Sequence, residues 1–127
     1  MSLRSDLGRV RGLGSAKTGS HHWWHQRLTA IAILPLATWF IVSLLGHMND
    51  DFQATVNWIS SPFVTVLLVA LVASVFYHAK LGLQVVIEDY IHHELTKILI
   101  LIAMKLSLAF GALLGIISVL KISFGSA

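Results

Sequence analysis

The sequence predicts an all-α integral membrane protein with three transmembrane helices. Two observations carry that prediction. Of 127 residues, 56% are apolar and only 12% charged, with a mean hydropathy of +0.78, against roughly 25% charged in ordinary soluble domains. The apolar residues also lie in three long runs rather than in short periodic segments, within a length that allows one domain at most. Cysteine is absent, which removes disulfides, thiolate zinc sites, iron–sulfur clusters ligated by this chain and thioether-linked haem. Any redox centre held here must use histidine.

The first run, Leu28 to Leu45, has 18 residues and no charge, about the length needed to cross a hydrocarbon core of roughly 30 Å. Pro35 within it is tolerated in a membrane span when neighbouring helices satisfy the freed carbonyl. The second run, Phe63 to Ile87, is entered by Ser60, Ser61 and Pro62, which read as a capping serine pair with proline at the first helical position. It carries Ser74, Tyr77, His78, Lys80 and Gln84. The third, Ile98 to Leu120, is interrupted only by Lys105 and spaces Gly111 and Gly115 four apart, a small-xxx-small pattern that lets helices approach closely. Spans are expected at about 27–46, 62–88 and 96–121, with 1–26 as a basic N-terminal segment and 27–127 as the membrane domain.

Charge sets the expected topology. Net charge is +3, yet residues 1–27 hold Arg4, Arg9, Arg11, Lys17 and Arg27 against Asp6 alone, and the rest of the chain is slightly acidic. A basic face for tracking phosphates is missing, so nucleic-acid binding is not expected. The positive-inside rule keeps the N-terminus in the cytoplasm or the mitochondrial matrix. Loop 47–61 lacks lysine and arginine and is expected outside, the loop at about 88–95 inside, and the C-terminus outside. Trp23 and Trp24 then sit at the inner interface and Trp58 at the outer one as ordinary aromatic anchors. A cleaved signal peptide does not fit, because the first run is too long and is followed by Gly46-His47-Met48-Asn49-Asp50-Asp51 without a cleavage signature.

An ionisable residue within a span costs free energy unless paired or ligated, which singles out His78. It lies about 13 Å from the inner end of its span. Ser74 and Gly82 fall about 40° to either side of it on the helix, and Asp89 returns within about 20°. A flat macrocycle beside an axial imidazole needs a small neighbour one turn away, which Gly82 supplies. On spacing alone, a buried histidine bonded to a carbonyl of another helix is the favoured reading over a haem ligand. Lys80 lies about 200° round from His78 and, like Lys105, reads as snorkelling or partner-facing. The His21, His22 and His25 group lacks a carboxylate or cysteine to complete a metal site, and His92 and His93 read as interfacial and solvated. At the inner surface, Glu88, Asp89 and Tyr90 end the second span where Arg27 opens the first. A phenol can donate to a quinone carbonyl, a carboxylate can orient it or relay a proton, and a guanidinium can stabilise a reduced ring or a haem propionate. The plainer reading makes Tyr90 an interfacial anchor and Arg27 a topology determinant.

Taken together, His25-Gln26-Arg27-Leu28-Thr29-Ala30-Ile31, Tyr77-His78-Ala79-Lys80-Leu81-Gly82 and Val86-Ile87-Glu88-Asp89-Tyr90 resemble the small cytochrome b anchor subunit of succinate dehydrogenase, of alphaproteobacterial and mitochondrial type. The resemblance covers nearly the whole chain. It implies that His78 is one axial ligand of a haem b, with the second ligand from another anchor subunit packed against this one in a helical bundle. It implies ubiquinone binding by Tyr90 and Asp89, with Arg27 near quinone and haem propionate. It also implies a flavoprotein partner holding FAD, an iron–sulfur partner holding the clusters, and a bacterial or mitochondrial inner membrane. This chain would then carry out no succinate chemistry itself. His47 lies at the far end of its span, consistent with a single ligand from within the chain. The alternative is a small non-redox membrane protein, such as a transporter half or assembly partner.

Overall fold

In the computed structural model, residues 5–12 and 19–125 are described; Arg4 and Lys17, two of the expected topology determinants, lie outside them. A single turn and a half, α1 (Asp6–Val10), precedes α2 (Gly19–Gly46), α3 (Phe52–Ser60), α4 (Pro62–Tyr90) and α5 (Glu94–Ser123). No strand occurs among the described residues. Helices α2, α4 and α5 contain 28, 29 and 30 residues and are each long and apolar enough to cross a membrane.

The three spans form a row with α4 in the middle. It packs against α2 on one side and α5 on the other, while α2 and α5 do not meet. Such a row cannot enclose a core, and only Thr65, Leu68 and Leu81, all on α4, are buried among the described residues. Leu34 and Phe110 stay 70% exposed. In water, surface of this kind would be strongly unfavourable, but lipid tails and neighbouring apolar helices solvate it without penalty.

The α4–α5 contact depends on glycine. A Cβ built on Gly111 would come 2.7 Å from Phe76 Cε1, and one on Gly115 would come 3.1 Å from Val72 Cγ1. The small-xxx-small pair therefore sits against α4, as its spacing predicts.

At the opposite end of α4 from Tyr90, the helix begins differently from the expected serine cap. Pro62 does occupy the first turn, but Ser61 makes no side-chain capping bond. Ser60 Oγ instead donates to Ile122 O across 3.2 Å. Thr65 Oγ1 lies 2.7 Å from Ile59 O, 3.0 Å from Ser61 O and 2.8 Å from Ser123 Oγ. These bonds knot the ends of α3, α4 and α5 together. The expected loop 47–61 is mostly helix. Asp51 caps α3 by accepting from Ala54 N at 2.8 Å, and Trp58 stacks on His47 with ring centroids 4.6 Å apart. Between α4 and α5 the turn is only residues 91–93, and His93 Nδ1 caps α5 by accepting from Thr96 N at 3.3 Å. His93 thus has a local structural role beyond solvation.

Candidate functional site

Helix α2 starts at Gly19, well before the apolar run, and is continuous through residue 27. The extra two turns carry polar side chains onto the face that meets α4. His22, Gln26 and Thr29 are spaced four and three apart, which places them in one stripe. The stripe runs antiparallel to α4: Thr29 meets His78, and Gln26 meets Gly82 further along.

Thr29 Oγ1 lies 2.9 Å from His78 Nδ1, and also 2.8 Å from His25 O and 3.0 Å from Gln26 O of its own helix. His78 makes no other hydrogen bond among the described residues, so its Nε2 is unpaired. A Cβ on Gly82 would sit 3.5 Å from Gln26 Nε2, an ordinary contact distance. The glycine therefore lies beside α2, with Gln26 as its near neighbour. His22 Nε2 and Gln26 Oε1 are buried without hydrogen-bond partners, which marks this seam as polar and incompletely satisfied.

Tyr77 closes the seam on one side, its hydroxyl 2.9 Å from His25 Nδ1. Lys80 turns away, as its helical angle predicts. Its ammonium lies 5.3 Å from the Tyr77 ring centroid, and with Lys105 it lines a groove of about 520 Å³ between α4 and α5.

The inner-surface residues are less assembled. Asp89 is exposed and Tyr90 is 78% exposed at the end of α4, and neither has a hydrogen-bond partner among the described residues. Glu88 accepts a bond from Gln84 Nε2 at 3.0 Å. The Arg27 guanidinium lies 5.1 Å over the Trp23 ring and makes no ion pair with Asp89. On α2 it is about 160° round from Thr29, so it points away from α4. Within this chain, His78 and Gly82 are brought against α2, while Asp89, Tyr90 and Arg27 present open surfaces.

Sequence alone does not single out His22, Gln26 and Thr29 as a set. Their signal was a polar i, i+4, i+7 stripe leading into an apolar helix. Only the position of α4 shows that Thr29 serves His78.

The profile of the succinate dehydrogenase/fumarate reductase transmembrane subunit family matches residues 1–117. A succinate dehydrogenase hydrophobic membrane anchor subunit from Rickettsia conorii is 41% identical over 102 residues, covering 79% of this chain and 81% of its own. The corresponding protein from Rickettsia bellii is 38% identical over 104 residues, covering 82% and 83%. A succinate dehydrogenase membrane anchor subunit from Reclinomonas americana is 32% identical over 89 residues, covering 65% and 71%. A transporter half or a non-redox assembly partner gives way to these matches. With its three apolar spans and almost no core of its own, the chain belongs to the succinate dehydrogenase/fumarate reductase transmembrane subunit family, among the succinate dehydrogenase membrane anchor subunits.

Proposed function

We propose that this chain supplies His78 as one axial ligand of a haem b and contributes Asp89 and Tyr90 to a ubiquinone-reduction site at the inner membrane surface. The observation that supports the haem reading is the state of His78. One ring nitrogen is tied to Thr29, while Nε2 has no partner among the described residues. Metal-bound histidines usually use the second nitrogen in this way. When bound, the haem would supply a one-electron redox centre inside the membrane. As the family resemblance implies, a second histidine would come from the other anchor subunit; within this chain His25 Nδ1 is engaged by the Tyr77 hydroxyl and His47 stacks with Trp58 at the far end of its span.

For the quinone, exposure is the supporting feature. A phenol and a carboxylate at a helix end, both without side-chain partners among the described residues, are open to a substrate and the iron–sulfur subunit from outside. Tyr90 donates its hydroxyl proton in a hydrogen bond to a quinone carbonyl, and Asp89 orients the phenol or passes protons from water. Two electrons from succinate oxidation, delivered through FAD and clusters held by the partner subunits, and two protons convert quinone to quinol. Arg27 joins this site through a surface completed by a partner, where its guanidinium faces a propionate or the reduced ring. The membrane is a bacterial or mitochondrial inner membrane with the N-terminus on the succinate-oxidising side.

A reduced-minus-oxidised spectrum of the purified complex tests the reading. Wild type gives a b-type haem signal that His78→Ala loses or strongly perturbs, whereas His92→Ala keeps it. An unchanged haem spectrum and content in the His78 variant would overturn the assignment.

A further inference from the structure

We propose that Thr29 is a positioning residue that holds the His78 imidazole in its Nδ1–H tautomer and so makes Nε2 the iron-binding atom; this rests on the haem reading above. The case is one of counting protons. A threonine hydroxyl has a single hydrogen and two lone pairs. Two backbone carbonyls, His25 O and Gln26 O, lie 2.8 and 3.0 Å from Thr29 Oγ1, and carbonyls only accept. The assignment that satisfies these contacts together sends the hydroxyl proton to His25 O, the nearer carbonyl, and leaves an oxygen lone pair for His78 Nδ1–H at 2.9 Å. In this assignment Nδ1 donates. A neutral imidazole with its proton on Nδ1 carries its lone pair on Nε2, the atom that has no partner among the described residues.

Three further features make Thr29 suited to hold a ring rather than merely to touch it. Its Oγ1 is anchored to the rigid backbone of a long helix, so the acceptor position is fixed by α2 and not by a flexible side chain. Its β-branched side chain has restricted χ1 freedom. A hydroxyl that donates to a carbonyl becomes a better acceptor, which strengthens the bond from Nδ1–H and raises the basicity of Nε2. Stronger donation from Nε2 favours ferric over ferrous iron and so lowers the haem potential.

The test uses the assembled complex with Thr29→Val, which keeps the side-chain shape and removes the hydroxyl, Thr29→Ser, which restores it, and His78→Ala. Haem content per assembled complex, the haem midpoint potential and the g-values of the low-spin ferric spectrum are measured together. Thr29→Val is expected to raise the midpoint potential, move the g-values and weaken haem retention by about 10- to 100-fold, the usual effect of losing a partner of a metal-bound histidine. Thr29→Ser is expected to return all three toward wild type. A purely structural role would lower yield without moving potential or g-values. If Thr29→Val does not assemble, Thr29→Ala, which cannot overfill the site, provides the same readings. Wild-type potential and g-values in the hydroxyl-free variant, alongside haem loss in His78→Ala, overturn the role of Thr29 and leave the haem reading intact. A wild-type haem spectrum in His78→Ala overturns both.

Discussion

Phe76 occupies the space that a side chain at Gly111 would need, with its Cε1 2.7 Å from where a Cβ would be. That contact lets α4 and α5 lie close enough to pack without a hydrophobic driving force, since lipid tails are as apolar as the helices themselves. Gly111→Ala is expected to cost about 1–3 kcal/mol by overpacking. Gly115→Ala is milder because Val72 Cγ1 stands off at 3.1 Å, and Gly46→Ala is neutral because nothing lies within 4 Å of its added methyl. Thermal unfolding of the purified complex in detergent ranks the three. Phe76→Leu combined with Gly111→Ala should recover part of the loss, and additivity of the two changes would show that the sites do not meet.

Thr65 is the one buried polar residue among the described residues, with its hydroxyl between Ser123 Oγ and the carbonyls of Ile59 and Ser61. Thr65 Oγ1 and Ser123 Oγ share a hydrogen bond in which either hydroxyl can donate. Thr65→Val keeps the volume but leaves the Ser123 hydroxyl and the Ile59 carbonyl short of a partner, a loss of about 1–3 kcal/mol for buried groups. Loosened ends of α3 and α5 should appear as faster hydrogen exchange at residues 52–60. Unchanged protection there would remove the knot from the account of stability.

Topology follows from the asymmetric charge of the first 27 residues. Asn49 lies in the α2–α3 turn and is exposed. A cysteine at Asn49 is expected to react with an impermeant maleimide only from the external side, and one at His92, in the α4–α5 turn, only from the cytoplasmic or matrix side. The native chain contributes no background thiol. The reverse labelling pattern would invert the membrane orientation and place Asp89 and Tyr90 on the wrong surface for a succinate-linked site.

The three spans were legible because an apolar run of 18 residues or more with at most one charge has few other uses, and Gly111 and Gly115 announced their contact by spacing alone. The start of α2 was not, because Gly19 to Gln26 has no apolar period. There the helix extends upstream from the span, and its face is read only against α4. Likewise α3 hid within a loop. Its signals were Asp51 as a cap and one apolar face over nine residues, too short to stand without α4 and α5. His78 stood out because ionisable groups in spans are costly. Thr29 did not, since a threonine in a membrane helix is ordinary until another helix places a ring nitrogen beside it.

Tyr90 gives the most discriminating functional prediction, because it is 78% exposed and its hydroxyl has no partner among the described residues to lose. Tyr90→Phe therefore leaves this chain's packing unchanged and deletes only the hydroxyl. If that hydroxyl donates to a quinone carbonyl, its loss costs about 0.5–1.5 kcal/mol in binding, and more where charge develops on the oxygen during reduction. Succinate-to-quinone turnover per assembled complex should fall several-fold. Succinate oxidation with a dye that intercepts electrons upstream should remain near wild type, since the proposed assembly puts the upstream redox centres in other subunits. Asp89→Asn should likewise slow quinone reduction and in addition change its pH profile, because the amide retains hydrogen bonding but cannot carry a proton between water and phenol. An interfacial anchor behaves differently: Phe fills that role as well as Tyr, and any loss of activity then tracks the amount of complex. Equal quinone turnover per complex in wild type and Tyr90→Phe would remove the phenol from the quinone site, whatever became of His78 and its haem.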